Sequence, residues 1–74
     1  MDITQIIGNN IRGYRKRKKG SQKKLAMRAK LSVEFIGRVE RGKIGIRIKS
    51  LSKIATALKI KPYKLVTEDA YKQK

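Results

Sequence analysis

Hydrophobic residues recur at helical spacing in successive stretches of the chain, separated by short polar segments. The first stretch predicts a helix over about residues 3–18, with its apolar positions at Ile3, Ile6, Ile7, Ile11 and Tyr14. Asp2 stands three residues before Gln5, where its side chain can cap the helix start, and Gly20 is placed to end the segment. The pattern therefore indicates a long amphipathic first helix.

The stretch over residues 21–42 predicts two short helices joined by a tight turn. Ser21 and Ser32 each precede an apolar run, the position at which a side-chain oxygen accepts a backbone N–H of the first turn. We expect helices over about 22–29 and 33–41, ended by Gly42. Because the connection is too short for an antiparallel pair, the two helices should cross steeply.

The remaining pattern predicts two more helices and completes a five-helix, all-α bundle in a single domain, 1–74. One helix spans about 48–58, and Pro62 fits the first position of the last, where its missing N–H costs nothing. The tail over about 70–74 is expected to fray. The predicted core is aliphatic and aromatic, with Leu25, Phe35, Ile36, Val39, Ile54 and Leu58.

Charge adds the strongest indication of function. The 74 residues include 21 Lys and Arg against 5 Asp and Glu, a net charge of +16. The excess positive charges repel one another and favour binding to a polyanion, of which nucleic acid is the first candidate. The alternative is a surface charged only for solvation, which normally carries more interspersed glutamate. The sequence thus favours a nucleic-acid-binding protein.

Missing residue types and segments exclude other classes. The chain has no Cys and no His, so it offers no disulfide, no thiolate metal site and no histidine base, and we predict no metal, no cofactor and no enzymatic activity. No apolar run approaches the roughly 20 residues that span a bilayer, and the start lacks the pattern of a secretory signal. An intracellular, cytoplasmic protein is therefore expected.

Four segments resemble the Cro/C1-type helix-turn-helix family of phage repressors and bacterial regulators. They are IGNNIRGYR at 7–15, SQKKLAMRA at 21–29, LSVEFIGRVERG at 31–42 and LSKIATAL at 51–58. The resemblance covers about residues 6–66 without a gap. It implies a lambda repressor-like, five-helix domain that binds double-stranded DNA in a sequence-specific way and regulates transcription, most simply as a repressor, with a palindromic operator and a homodimer at least on DNA.

The resemblance also assigns a DNA surface. The exposed positions of the third helix would read bases, and they are Val33, Glu34, Gly37 and Arg38. Arg38 is the strongest candidate because a guanidinium donates two hydrogen bonds to guanine O6 and N7. Contacts to the DNA backbone would come from Gln22, Lys23, Arg41, Lys43 and Arg47. Each of these side chains could instead be an ordinary solvated surface group.

Two further pairings are expected. The family pairs the positions of Arg15 and Glu40, which predicts a partly buried ion pair that orients the third helix. Apolar residues also recur at helical spacing near the C-terminus, where many relatives dimerise. They predict a dimer seam of Tyr63, Val66, Ala70 and Tyr71, unless this end is frayed and solvated.

Some positions depart from the family pattern, always toward positive charge. Lys19, Lys30 and Lys59 stand where the family usually has glycine, so each predicts a left-handed residue strained by roughly 1 kcal/mol. Arg47 stands where Ser or Thr usually caps the fourth helix. Two other functions fit the same sequence: a non-specific basic nucleic-acid binder, architectural or RNA-associated, and an antitoxin-like module whose partner is another protein.

Overall fold

The computed structural model describes residues 1–72, and these form a bundle of five α-helices followed by one 3₁₀ turn. The elements are α1 (Ile3–Arg17), α2 (Gln22–Ala29), α3 (Val33–Glu40), α4 (Ile48–Leu58), α5 (Tyr63–Val66) and the C-terminal 3₁₀ turn (Ala70–Lys72). No β-strand occurs in this range. The all-α, five-helix fold predicted from the sequence is confirmed. The predicted boundaries of α1 to α4 and the start of α5 lie within about a residue of the observed ones, whereas α5 ends earlier than its apolar spacing predicts.

Three helices begin at side-chain caps that the sequence identifies. Asp2, Ser21 and Ser32 each adopt an extended backbone and accept a hydrogen bond from the amide three residues later, at 3.0 Å in every case. Each bond satisfies one of the amides that the first helical turn leaves without an intrahelical partner. The start of α3 is thereby fixed at Ser32.

Four helices end in the same backbone motif. The first or second residue after the helix is left-handed, and two amides bond back to the last turn at 2.9 to 3.2 Å. Glycine takes this position only after α3, at Gly42, where φ is 70°. After α1, α2 and α4 it is a lysine, at Lys19, Lys30 and Lys59, with φ of 55°, 58° and 59°. The predicted left-handed lysines are confirmed, with the strain that a Cβ atom brings there.

The core lies between all five helices. Ile11, Ile36, Ile54 and Leu65 are completely buried at its centre. Phe35, predicted as core, is only partly buried and packs at the edge of this cluster. Gly8 allows α1 and α3 to approach closely, because a Cβ at this position would lie 2.4 Å from the carbonyl oxygen of Val39.

The C-terminal segment differs from its prediction. Extended backbone at Thr67 and a left-handed Asp69 break the helical phase after α5, and the chain turns back onto α1. Ala70 is buried, and Tyr71 lies against Gly13, where a Cβ would be 2.2 Å from the tyrosine ring. The fraying predicted for 70–74 is therefore wrong for residues 70–72, while 73 and 74 lie outside the described residues.

A buried polar side chain that the sequence did not single out holds this end of the bundle. Asn10 is fully buried in α1 and donates its amide hydrogens to the carbonyl oxygens of Leu65, at 2.9 Å, and Thr67, at 2.8 Å. The first bond supplies a partner to a carbonyl of the last turn of α5, and the second joins the amide of Ala70 on the carbonyl oxygen of Thr67. No helix among residues 1–72 is long and apolar enough to cross a membrane.

Candidate nucleic-acid interface

Helix α3 divides into a buried face and an exposed face. Ile36 and Val39 point into the core, whereas Val33, Glu34 and Arg38 lie at the surface. Glu34 sits in the first turn, where the helix dipole favours a negative charge, and Arg38 lies one turn later. The structure thus brings three of the four predicted base-reading residues to one exposed surface.

Gly37, the fourth predicted base-reading residue, is buried, so its predicted exposure is wrong. A Cβ at Gly37 would lie 3.1 Å from Nη1 of Arg41 and 3.6 Å from Oε1 of Gln22. These two longer side chains cover the glycine, which has no side chain that could reach past them. Gly37 therefore provides the space in which Gln22 and Arg41 pack over α3.

The ion pair predicted between Arg15 and Glu40 is present and connects α1 to α3. Arg15 donates from Nε to Oε2 of Glu40 at 2.7 Å and from Nη2 to Oε1 at 3.0 Å. Its remaining Nη1 donates to the carbonyl oxygen of Gly20 at 3.0 Å. The Glu40 side chain is 2% exposed and that of Arg15 12%. This two-bond, buried geometry fixes the end of α3 against α1.

Gln22 joins the same network, which the sequence did not predict. Its Nε2 donates to Oε1 of Glu40 at 3.0 Å, so the Glu40 carboxylate accepts bonds from α1 and α2 while it belongs to α3. Gln22 is half-buried at the first position of α2. The start of α2 and the end of α3 are thus held to each other through one carboxylate.

Four exposed basic side chains belong to the elements directly before and after α3. Lys23 belongs to the first turn of α2, Arg41 and Lys43 follow α3 directly, and Arg47 precedes α4. All four are exposed, and none has an ion-pair partner within residues 1–72. These groups are hydrogen-bond donors only, so the surface is suited to bind anions and base-edge acceptors.

The predicted dimer seam is only half available. Tyr63 and Val66 project from α5 and are 59% and 40% exposed. Ala70 is buried, and Tyr71 packs on α1, because both belong to the C-terminal 3₁₀ turn and not to a continued α5. Their inclusion in the seam was wrong, since the helical spacing does not extend past the break at Thr67.

Comparison with known proteins gives consistent relatives. A family model described as helix-turn-helix matches residues 11–65. The control protein C.SmaI from Serratia marcescens is 36% identical over 97% of this chain and 86% of its own length. The crystal structure of the restriction-modification controller protein C.AhdI from Aeromonas hydrophila superposes with a TM-score of 0.82 at 35% identity, over 84% of this chain and 94% of that one.

A third relative is a repressor domain. The solution structure of the DNA-binding domain of the P22 C2 repressor gives a TM-score of 0.84 at 28% identity, over 100% of this chain and 96% of that chain. The family match includes the four segments quoted above from Ile11 onward and spans α2, α3 and α4 completely. The chain belongs to the helix-turn-helix family.

Proposed function

We propose that the protein is a sequence-specific, double-stranded DNA-binding transcriptional regulator, most simply a repressor that occludes RNA polymerase. The observation that carries this proposal is the exposed face of α3, where Val33, Glu34 and Arg38 stand on a helix fixed from behind by the Arg15–Glu40 pair. A rigid helix with polar groups on its outer face is the element that enters a major groove. The relatives support it, since they include controller proteins and the DNA-binding domain of a repressor.

The three exposed side chains of α3 have different chemistry and would read different base edges. Arg38 would donate two hydrogen bonds to O6 and N7 of a guanine, a contact worth about 1 to 3 kcal/mol of discrimination. Glu34 would accept from N4 of a cytosine, and Val33 would pack on a thymine methyl group. Because α3 is held at both ends, its three side chains would contact bases at fixed spacings from one another.

Contacts to phosphates would fix that register. Lys23, Arg41, Lys43 and Arg47 flank α3, and each supplies only donors. Gln22 uses one amide hydrogen for Glu40, which leaves its second amide hydrogen for a phosphate beside the N-terminus of α2. In this arrangement the network around Glu40 would position a DNA-backbone contact as well as α3.

We further propose that two copies bind a palindromic operator in the nucleoid of the cytoplasm. Two subunits would place their recognition helices about 34 Å apart, one turn of DNA. The exposed Tyr63 and Val66 of α5 supply the apolar contact for such a pair. The seam is small and surrounded by lysines, so pairing should be strongest where DNA neutralises the charge.

Selection of bound duplexes from a random pool tests the proposal. The expected result is one enriched, two-fold symmetric motif. In a titration at rising salt, the enriched duplex should stay bound where a scrambled duplex of equal length is released, because salt weakens the phosphate contacts of both but spares the base contacts of the first. Release of both duplexes at the same salt concentration would instead show a non-specific binder.

A further inference from the structure

A second basic surface runs across the bundle away from α3. We call it the basic band, and it consists of Lys64, Lys18, Lys24, Arg28, Lys30 and Lys53. Three neighbouring clefts contain these residues. The first, by α5, includes Lys18 and Lys64, the second includes Lys18, Lys24 and Arg28, and the third includes Arg28, Lys30 and Lys53. Because Lys18 and Arg28 are shared between adjacent clefts, the band is continuous from α5 across α2 to α4.

The basic band is separate from the proposed reading surface. No residue of α3 or of the segment 41–47 lines any of the three clefts. Lys24 and Arg28 are one helical turn apart and line the cleft that α2 forms with α1 and α4. Lys23, on the proposed DNA side, lines none of these clefts. Helix α2 therefore carries cations toward two different surfaces.

Within residues 1–72, no cation of the basic band forms an ion pair with an acidic side chain. None of the five acidic residues of the sequence lines these clefts. Asp2 caps α1, and Glu40 pairs with Arg15. Moreover, Lys30 adopts a left-handed conformation that favours glycine. Uncompensated cations, one of them on a strained backbone, indicate a surface that has a polyanionic partner.

The lining of the clefts favours DNA over an acidic protein. Protein interfaces are anchored by aromatic side chains in desolvated pockets. The second and third clefts contain no aromatic residue, and Ser21, Ser52 and Thr56 lie there beside the cations and a few small or aliphatic residues. Of the three clefts, only the first includes aromatic residues, Tyr14 and Tyr63, at the α5 end of the band. Five of the six cations are lysines, which bind phosphates as point charges without reading sequence. Duplex DNA carries one charge per about 1.7 Å, and the domain measures 26 × 25 × 18 Å, so several cations could engage one backbone together.

We propose that the basic band binds the phosphates of a second DNA duplex, independently of its sequence, while α3 occupies its specific site. The inference rests on the proposed function, because α3 must hold the first duplex. One protein would thereby bridge two DNA segments. The base contacts of α3 and the phosphate contacts beside it bind only one duplex and cannot form such a bridge.

A capture assay with two duplexes tests the bridge. The duplex selected above is fixed to beads and saturated with protein, and a fluorescent random duplex is then added. The wild-type protein should capture it. The band variant Lys24→Gln, Arg28→Gln, Lys53→Gln should capture about tenfold less, and its salt slope for random DNA should fall by roughly 0.9 for each phosphate that it no longer neutralises. Its binding to the selected duplex alone should stay within about twofold, since α3 is untouched.

The matched control is Arg12→Gln, Lys16→Gln, Lys61→Gln. It removes the same charge from exposed positions that line none of the three clefts, and it should capture like wild type. Circular dichroism verifies that both variants fold. Equal capture by the band variant and the control would overturn the proposal, because the bridge would then run through other surfaces, including the two reading helices of a dimer.

Three further outcomes test this inference and distinguish its failure from that of the proposed function. If wild type binds the selected duplex but captures no second one, the basic band hypothesis fails and the regulator stands. If polyglutamate displaces the second duplex better than unlabelled random DNA does at equal charge, the band prefers the carboxylates of an acidic protein and the DNA proposal is overturned. If no duplex is selected at all, the proposed function itself has failed.

Discussion

Helices α3 and α4 have similar buried faces but very different ends. Both place an isoleucine at the centre of the core, Ile36 and Ile54. Helix α3 begins at Ser32, whose hydroxyl oxygen caps the first turn, and ends at left-handed Gly42. Helix α4 begins at Arg47, which makes no side-chain capping bond within the described residues, and ends at left-handed Lys59. The residue types favoured at helix ends occur in α3, and cations replace them in α4.

This difference shows which parts of the fold depend on local sequence. Three independent features stabilise helix α3 in its position: the Ser32 cap, the left-handed Gly42 and the hydrogen bonds to Glu40. Helix α4 is held mainly by burial of Ile54, Ala55 and Leu58, and packing can maintain a helix whose ends are unfavourable. The ends of α4 are therefore available for positive charge.

Removing the tertiary support of α3 should give the largest effect. The substitution Glu40→Leu leaves the Arg15 guanidinium without a counter-charge, in a side chain that is only 12% exposed. We expect the free energy of unfolding to fall by about 3 kcal/mol, as for other buried pairs that lose one partner. Urea denaturation followed by circular dichroism measures the change.

The double variant Arg15→Leu, Glu40→Leu is the control. With both charges removed, no uncompensated ion remains, so it should be less destabilised than either single variant. A double variant whose destabilisation equals the sum of the two single values would contradict this, because the two groups would then act independently.

Substitutions at the proposed DNA contacts should have smaller effects, and these effects should differ between α3 and the segments around it. Arg38→Ala should weaken binding to the selected duplex by about 1 to 3 kcal/mol and relax the preference at one base pair. Lys43→Ala should weaken all duplexes equally and reduce the salt slope by about 1. Competition binding against single-base variants of the operator measures both effects. Loss of base preference in the lysine variant would contradict the assignment of reading to α3.

The local features of this fold are predictable from sequence because their signals are short. Capping bonds join residues three apart, as in Ser32 and Phe35. The left-handed lysines, in contrast, were predicted from the glycines that the resembling family has at these positions. The five helices follow from apolar spacing, which each segment carries by itself. The same period predicts exposed positions on α3, correctly for Val33, Glu34 and Arg38, while the resemblance to the family suggested that they read bases.

The features that sequence reasoning missed depend on contacts between distant residues. Asn10 bonds to a carbonyl 55 residues away, and Gln22 to a carboxylate 18 residues away. Gly37 lies at a helical position that would be exposed in isolation, but side chains from neighbouring segments cover it. Tyr71 was misplaced because the break before it produces a turn onto Gly13. Helical period alone contains none of this information.

Substitutions at the left-handed residues that follow α3 and α4 should reduce the difference in backbone strain between the two helix ends. Lys59→Gly should raise the free energy of unfolding by about 1 kcal/mol, because glycine relieves the left-handed strain. Lys61→Gly removes the same charge where φ is not positive, and it should bring no such gain. Gly42→Ala should lower stability by a similar amount, with its Cβ 3.3 Å from Gln5 Cγ. Thermal melts of the three variants test this, and equal melting temperatures would exclude strain as the cause.

The smallest effect is expected at the start of α4. Arg47→Ser introduces a hydroxyl at an extended N-cap position, where φ is −77° and ψ 153°, close to the values at Ser32. The new capping bond should stabilise the free protein by about 0.5 kcal/mol. This is the lower end of the range for N-cap side chains, because the surrounding residues have not been selected to support a cap here. The same change removes a proposed phosphate contact, so affinity for every duplex should fall while base preference is kept. The melting temperature of the free protein should therefore rise, while the affinity measured by titration with DNA should fall. A variant that is both more stable and equally tight would show that Arg47 has no part in binding.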